Sequence, residues 1–135
     1  MKTKTVVILR GVSGSGKSSF AELIAEPKVI CCADFYFEQD GSYNFDASKL
    51  GQAHLQSRKT FDDALNNPYV DNIVVANTNV KPSDYQYYVT EAEKRGVRVT
   101  FVVLEKRHNN ESLHDVPPHV LERQAESIEQ DMKLI

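Results

Sequence analysis

Gly11-Val12-Ser13-Gly14-Ser15-Gly16-Lys17-Ser18 fits the pattern G-x-x-x-x-G-K-[ST] at every specified position. The chemistry of that pattern is the holding of phosphate. Glycines at Gly11, Gly14 and Gly16 let successive backbone N–H groups, from Ser13 through Ser15 to Ser19, turn inward around an anion without interference from a Cβ. Lys17 supplies a cation at the β- and γ-phosphates, and the Ser18 hydroxyl completes the coordination of Mg²⁺. A chance match in a chain of ordinary composition is on the order of one in two hundred. The residues therefore predict binding of a nucleoside triphosphate, ATP, with Mg²⁺. A dinucleotide reading through Gly14-Ser15-Gly16 fails, because the third glycine of that fingerprint would fall at Ser19.

A triphosphate becomes a phosphate donor only beside a group that prepares the acceptor. Asp34 is the candidate general base, a carboxylate able to orient an attacking hydroxyl and take its proton. Arg107, between Lys106 and His108, is the candidate catalytic arginine of a lid that excludes water and neutralises charge on the transferring group. A solvated loop arginine is the plainer reading. Asn77-Thr78-Asn79 stands where many P-loop proteins carry an acidic metal-binding residue; it is read as a substrate contact or as an Asx-type turn entering a helix. Arg58, with Lys59 and the aromatics Phe35, Tyr36, Phe37 and Tyr43, offers cations and rings that could grip a single strand. The same residues also suit a buried aromatic core with a wet cationic face. His54 and His114 lack any metal-ligand spacing.

These groups need a scaffold that brings them together, and the patterning supplies one. Thr5 to Leu9 reads as a buried strand running into the glycine loop, and Ser18 to Ala25 as a helix with Phe20, Leu23 and Ile24 on one side, ended by Pro27. Lys28 to Ala33 is a second strand with Asp34 at its end, followed by an aromatic loop containing Gly41. Leu50, Ala53, Ser57, Phe61 and Leu65 keep helical spacing between about Ala47 and Asn66. Ile73 to Ala76 is a third strand. Pro82 opens a helix bearing Tyr85, Tyr88, Val89 and Ala92, which Gly96 closes. Val97 to Leu104 is the fourth strand, and Pro117-Pro118 opens a last helix with Leu121, Ala125, Ile128 and Met132 in register. The order βαβαβαβα predicts an α/β P-loop NTPase fold: a parallel sheet of about four strands, helices on both faces, and a short lid near 105–115. Ligands of such sheets bind beyond the carboxyl ends of the strands, where all the candidate groups fall.

Composition bounds the rest. The chain has 135 residues, 41% of them apolar, which suits one domain over 1–135. With 16 Lys and Arg against 19 Asp and Glu the formal charge is −3, so a nucleic-acid partner must be met by a local patch. No run of about 18 apolar residues could cross a bilayer, and no basic-then-apolar leader opens the chain; a cytoplasmic protein without a membrane partner is expected. Cys31 and Cys32 would point to opposite faces of a strand, which disfavours a disulfide between them.

Taken together, Gly-Val-Ser-Gly-Ser-Gly-Lys-Ser-Ser, Cys-Ala-Asp-Phe-Tyr, Val-Val-Ala-Asn-Thr-Asn, and Lys-Arg-His followed by Asp-Val-Pro resemble the kinase module of 5′-polynucleotide kinases from phage and bacterial end-healing enzymes. The resemblance implies that Lys17 and Ser18 hold ATP and metal, that Asp34 activates an acceptor hydroxyl, and that Arg107 clamps phosphate from the lid. It implies transfer of the γ-phosphate to the 5′-hydroxyl of a polynucleotide end. That family often carries an arginine three residues after the catalytic Asp, where this chain has Phe37, and Asp-Thr-Asn where this chain has Asn77-Thr78-Asn79. A nucleoside, sugar or other small metabolite is the alternative acceptor, and an NTP-hydrolysing regulatory module the alternative of another class.

Overall fold

The computed structural model describes residues 3–106 and 116–132. Arg107 and the rest of the expected lid from 107 to 115, His114 included, lie outside the described residues.

The β-branched run after Lys4 forms β1 (Thr5–Arg10), the strand on which the sheet is organised. It pairs in parallel with β5 (Asn72–Val75) on one side, from Thr5 opposite Asn72 to Ile8 opposite Val75, and with β6 (Arg98–Val103) on the other. Beyond β5 lies β2 (Lys28–Cys31), which gives the order β2-β5-β1-β6. All four strands run the same way, so the crossover helices must cover the two faces.

Alternation along the strands decides which helix covers which face. Val6, Ile8, Ile73 and Val75 meet Phe61 and Leu65 of α2 (Leu50–Leu65) and Tyr88 and Ala92 of α3 (Pro82–Lys94). Val7, Leu9, Val74 and Ala76 meet Phe20 and Ala21 of α1 (Lys17–Glu22). Cys31 joins the first cluster and Cys32 packs against the second, both as free thiols. The parallel four-stranded sheet, clothed on both faces, is thus the expected one. Phe61 and Tyr88 meet edge to face with centroids 4.9 Å apart, and the Tyr88 hydroxyl shares a 2.8 Å hydrogen bond with Ser57. Truncating a ring as buried as Phe61 costs about 3–5 kcal/mol.

Several boundaries differ from the sequence expectation for local reasons. α1 stops at Glu22 rather than Ala25, because the Lys28 ammonium collects the carbonyls of Ala21, Glu22 and Ile24 at 2.8–3.2 Å. Leu23, expected on the buried side, is 81% exposed. β2 ends at Cys31, and Ala33–Phe37 coil into a 3₁₀ turn that carries Asp34. The aromatic loop contains a small hairpin, β3 (Glu38–Gln39) with β4 (Ser42–Tyr43), turned by Asp40 and Gly41 at φ of 51° and 77°. Asp46 accepts from the Ser48 N–H at 3.0 Å and opens a 3₁₀ turn leading into α2. Gly96 closes α3 at φ 66° as expected, and α4 (Pro118–Asp131) starts at the second of the paired prolines. No helix among the described residues is long and apolar enough to cross a membrane.

Candidate active site

The loop between β1 and α1 is shaped by what its backbone must do. Gly14 and Gly16 take φ of 79° and 99°, a region that costs other residues strain. At Gly11 the constraint is space: a Cβ would sit 2.4 Å from the Ser15 hydroxyl and 2.9 Å from the Leu104 carbonyl. The Gly11 N–H donates to the Thr78 carbonyl at 3.2 Å, tying the loop to the end of β5. Ser15 donates its N–H back to Val12 at 3.1 Å, while its hydroxyl is buried with no partner. Ser13 is half-buried, and Ser18 and Ser19 stand exposed on the first turn of α1.

Lys17 is drawn into this loop. Its ammonium donates to the carbonyls of Gly11 and Val12 at 3.1 and 2.9 Å. Burial lowers its pKa from 10.5 to about 8, opposed in part by the Asp34 carboxylate. Both groups stand at the carboxyl end of the parallel sheet, Lys17 after β1 and Asp34 after β2.

Asp34 is positioned from two sides. The Ala33 N–H donates to the Asn77 side-chain oxygen at 2.8 Å, fastening the 3₁₀ turn to the end of β5. The Tyr43 hydroxyl donates to Asp34 Oδ1 at 3.2 Å, and the Tyr43 ring lies 6.2 Å from that of Phe37. Burial, then the Asp34 charge and the hydrogen bond to it, push the Tyr43 phenol up to about 12, so at neutral pH it stays a donor. Burial and the Asp34 charge likewise raise the Cys32 thiol to about 11, which keeps it uncharged beside the loop. Nothing in the spacing of the sequence singled out Tyr43 as the partner of Asp34; a hairpin had to bring it back.

The Asn-Thr-Asn element serves this frame. Asn77 holds the Asp34 turn, the Thr78 carbonyl receives the Gly11 N–H, and Asn79, at φ 49° and 1% exposed, donates to the Leu9 carbonyl at 2.7 Å. Arg10 then donates from Nε to the Asn79 carbonyl and from Nη2 to Val80, while Nη1 pairs with Asp131 of α4 at 2.9 Å. Tyr85 lies under the same guanidinium and donates to the same carboxylate. Gln124, seven residues before Asp131, accepts from the Ser13 N–H at 3.2 Å. Sequence reasoning marked neither Arg10 nor Gln124, since both look like ordinary polar residues until α4 is folded against the loop. Arg58 is placed against α3, its guanidinium 4.7 Å from the Tyr87 ring centroid.

The cradle fits a triphosphate: a tight glycine-lined turn, an ammonium at its centre and an orphaned buried hydroxyl at Ser15. Among the described residues no group of three or more His, Cys, Asp or Glu could hold a metal. The residues fit a magnesium ion that takes phosphate oxygens and waters together with the Ser18 hydroxyl, as this cation prefers.

No protein-family model matches the chain. NEDD4-binding protein 2 of Homo sapiens is 34% identical over 99 residues, 71% of this chain, and the chain spans only 6% of that protein's length. Among solved structures, the Mycobacterium tuberculosis APS kinase CysC Cys556Ala mutant superposes with TM-score 0.55 and 16% identity, covering 96% of this chain and 97% of that one. A chain of the Pnkp1/Rnl/Hen1 complex gives TM-score 0.59 and 20% identity over 91% of this chain and 40% of its own. The likeness is one of fold, the P-loop NTPase fold expected from the sequence.

Proposed function

We propose that the chain is a cytoplasmic, ATP- and Mg²⁺-dependent kinase that moves the γ-phosphate to a hydroxyl, with the 5′-hydroxyl of a polynucleotide as acceptor. The observation that carries this reading is the glycine-lined loop around the Lys17 ammonium, with Asp34 held by Tyr43 and by the Asn77-tethered turn at the same carboxyl edge of the sheet. Asp34 orients the acceptor hydroxyl and receives its proton as the acceptor oxygen bonds to the γ-phosphorus. The bond from that phosphorus to the β–γ bridging oxygen breaks, and ADP leaves with that oxygen. Tyr43 holds the Asp34 carboxylate in place, and Asn77 holds the turn beneath it. Lys17 follows the charge as it moves to the bridging oxygen, and the loop N–H groups hold the remaining oxygens. Arg107, outside the described residues, is the proposed lid cation. Bound magnesium would supply charge neutralisation at the phosphate oxygens, held through Ser18.

The likeness to a Pnkp1-containing RNA repair complex supports the polynucleotide acceptor. The likeness to APS kinase over 97% of that protein's chain favours a second reading, a small-molecule acceptor. Incubation with γ-labelled ATP and Mg²⁺ against 5′-hydroxyl DNA and RNA, nucleosides and sugars separates the two. Label on oligonucleotides in preference to their nucleosides is expected. Equal label on both would remove the polynucleotide assignment.

A further inference from the structure

Beside Asp34 the chain leaves an aromatic groove that the phosphate chemistry does not use. A cavity of about 600 Å³ opens between the 3₁₀ turn, the β3–β4 hairpin and the start of α2, and its walls include Phe35, Phe45, Gln39, Asn44, Lys49 and Gln56. That volume lies in the range of small-molecule sites, about 300–1,000 Å³. Phe37, beneath it, is core, but Phe35 and Phe45 remain 46% and 55% exposed. Phe45 is braced on its inner side by Phe37, the ring centroids 5.1 Å apart, and open on its outer side. Phe35 follows Asp34 directly in the chain, so the groove begins one residue from the proposed general base.

The chemistry of the walls narrows the occupant. The part-exposed rings of Phe35 and Phe45 can stack on a flat π-system, and the carboxamides of Gln39, Asn44 and Gln56, each able both to donate and to accept, line the same groove. The lining carries one cation, Lys49, against two carboxylates, Glu38 and Asp46, so the groove is not built for phosphate. The end of a strand bearing a 5′-hydroxyl presents a flat, uncharged base and no terminal phosphate. We propose that this groove holds the nucleobase of the acceptor's 5′-terminal nucleoside, stacked on Phe45 and Phe35. The assignment names the acceptor of the proposed phosphate transfer and rests on that reading.

The test compares a short 5′-hydroxyl oligonucleotide, the same strand with an abasic 5′ residue, and adenosine, on the full chain and on Phe45→Ala and Phe45→Tyr. Equilibrium binding and phosphate transfer from ATP are both measured. The wild type should bind the base-bearing strand about tenfold or more tightly than the abasic one. Phe45→Ala should erase that difference, and Phe45→Tyr, which keeps a stacking face, should retain it, with the KM for ATP unchanged in both. Equal binding of the two strands by the wild type, or an intact preference in Phe45→Ala, would overturn the assignment. Base-dependent binding without transfer removes the kinase reading and leaves the groove as a nucleobase site. Transfer to base-bearing and abasic ends alike removes the groove and leaves the kinase. Adenosine binding with the same sensitivity to Phe45 supports the groove with the free nucleoside as source, and binding of the strand alone supports it with the polynucleotide.

Discussion

Replacing Lys17 by Met should destroy phosphate transfer and change how stability responds to pH. The fold lowers the Lys17 pKa from 10.5 to about 8, chiefly by burial. At about 1.36 kcal/mol per unit, those 2.5 units mean that the folded state disfavours the ammonium by about 3 kcal/mol. The sign follows from proton counting. Between about pH 8 and 10.5 the native state has released the proton and the unfolded chain retains it, so wild-type stability rises with pH through that window. Lys17→Met has no such group. At neutral pH the variant should be more stable by about 1 kcal/mol, since each carbonyl that loses its donor, at Gly11 and Val12, gives back about 1 kcal/mol. Urea unfolding without nucleotide, at about pH 7 and about pH 9.5, should show the wild type gaining about 2 kcal/mol relative to the variant. A difference between the two proteins that stays constant across that range would refute the argument that Lys17 is held charged against its burial.

Three further outcomes follow from the site. Asp34→Asn should lower kcat by about 10²–10⁴-fold with ATP binding retained, as steady-state kinetics and nucleotide titration would show. Gly11→Ala forces a Cβ against Ser15 and the Leu104 carbonyl; weaker ATP binding and a lower melting temperature are expected, and an unchanged ATP affinity would speak against a rigid cradle. Arg10→Ala leaves Asp131 and two backbone carbonyls without their cation, and should cost about 3 kcal/mol in chemical denaturation. Arg10→Lys should recover little of it, because one ammonium cannot replace a three-way fork.

The parts of the molecule legible in the sequence are those written in periodicity and in fixed spacing. Val6 to Leu9 and Ile73 to Val75 declare buried strands because both their faces are covered. The Gly11 to Ser18 loop declares itself because its backbone geometry admits few residue types. The hairpin at Asp40-Gly41 was read only as an aromatic loop containing Gly41, because its strands have two residues each and carry no alternation. The end of α1 and the role of Asn79 depend on Lys28 and Leu9, partners distant in sequence or set on another element. Arg10, Gln124 and the bond from Tyr43 to Asp34 were illegible for the same reason: each acts through a contact that exists only once distant elements have folded together.

Lys28 and Lys4 give the sheet's polarity a wider meaning. Lys28 gathers the last carbonyls of α1, and Lys4 those of Ala64, Leu65 and Asn67 at the close of α2, both from the strands' starting ends. Two buried-edge ammonium ions thus fasten the rim opposite the glycine loop. Replacing both by Gln would loosen the helices from below while the phosphate cradle kept its own residues. The upper rim is tied separately, through Arg10, Asn77 and Asn79, so exposed side chains outside that frame, such as Phe45, can be exchanged with little consequence for whether the chain folds.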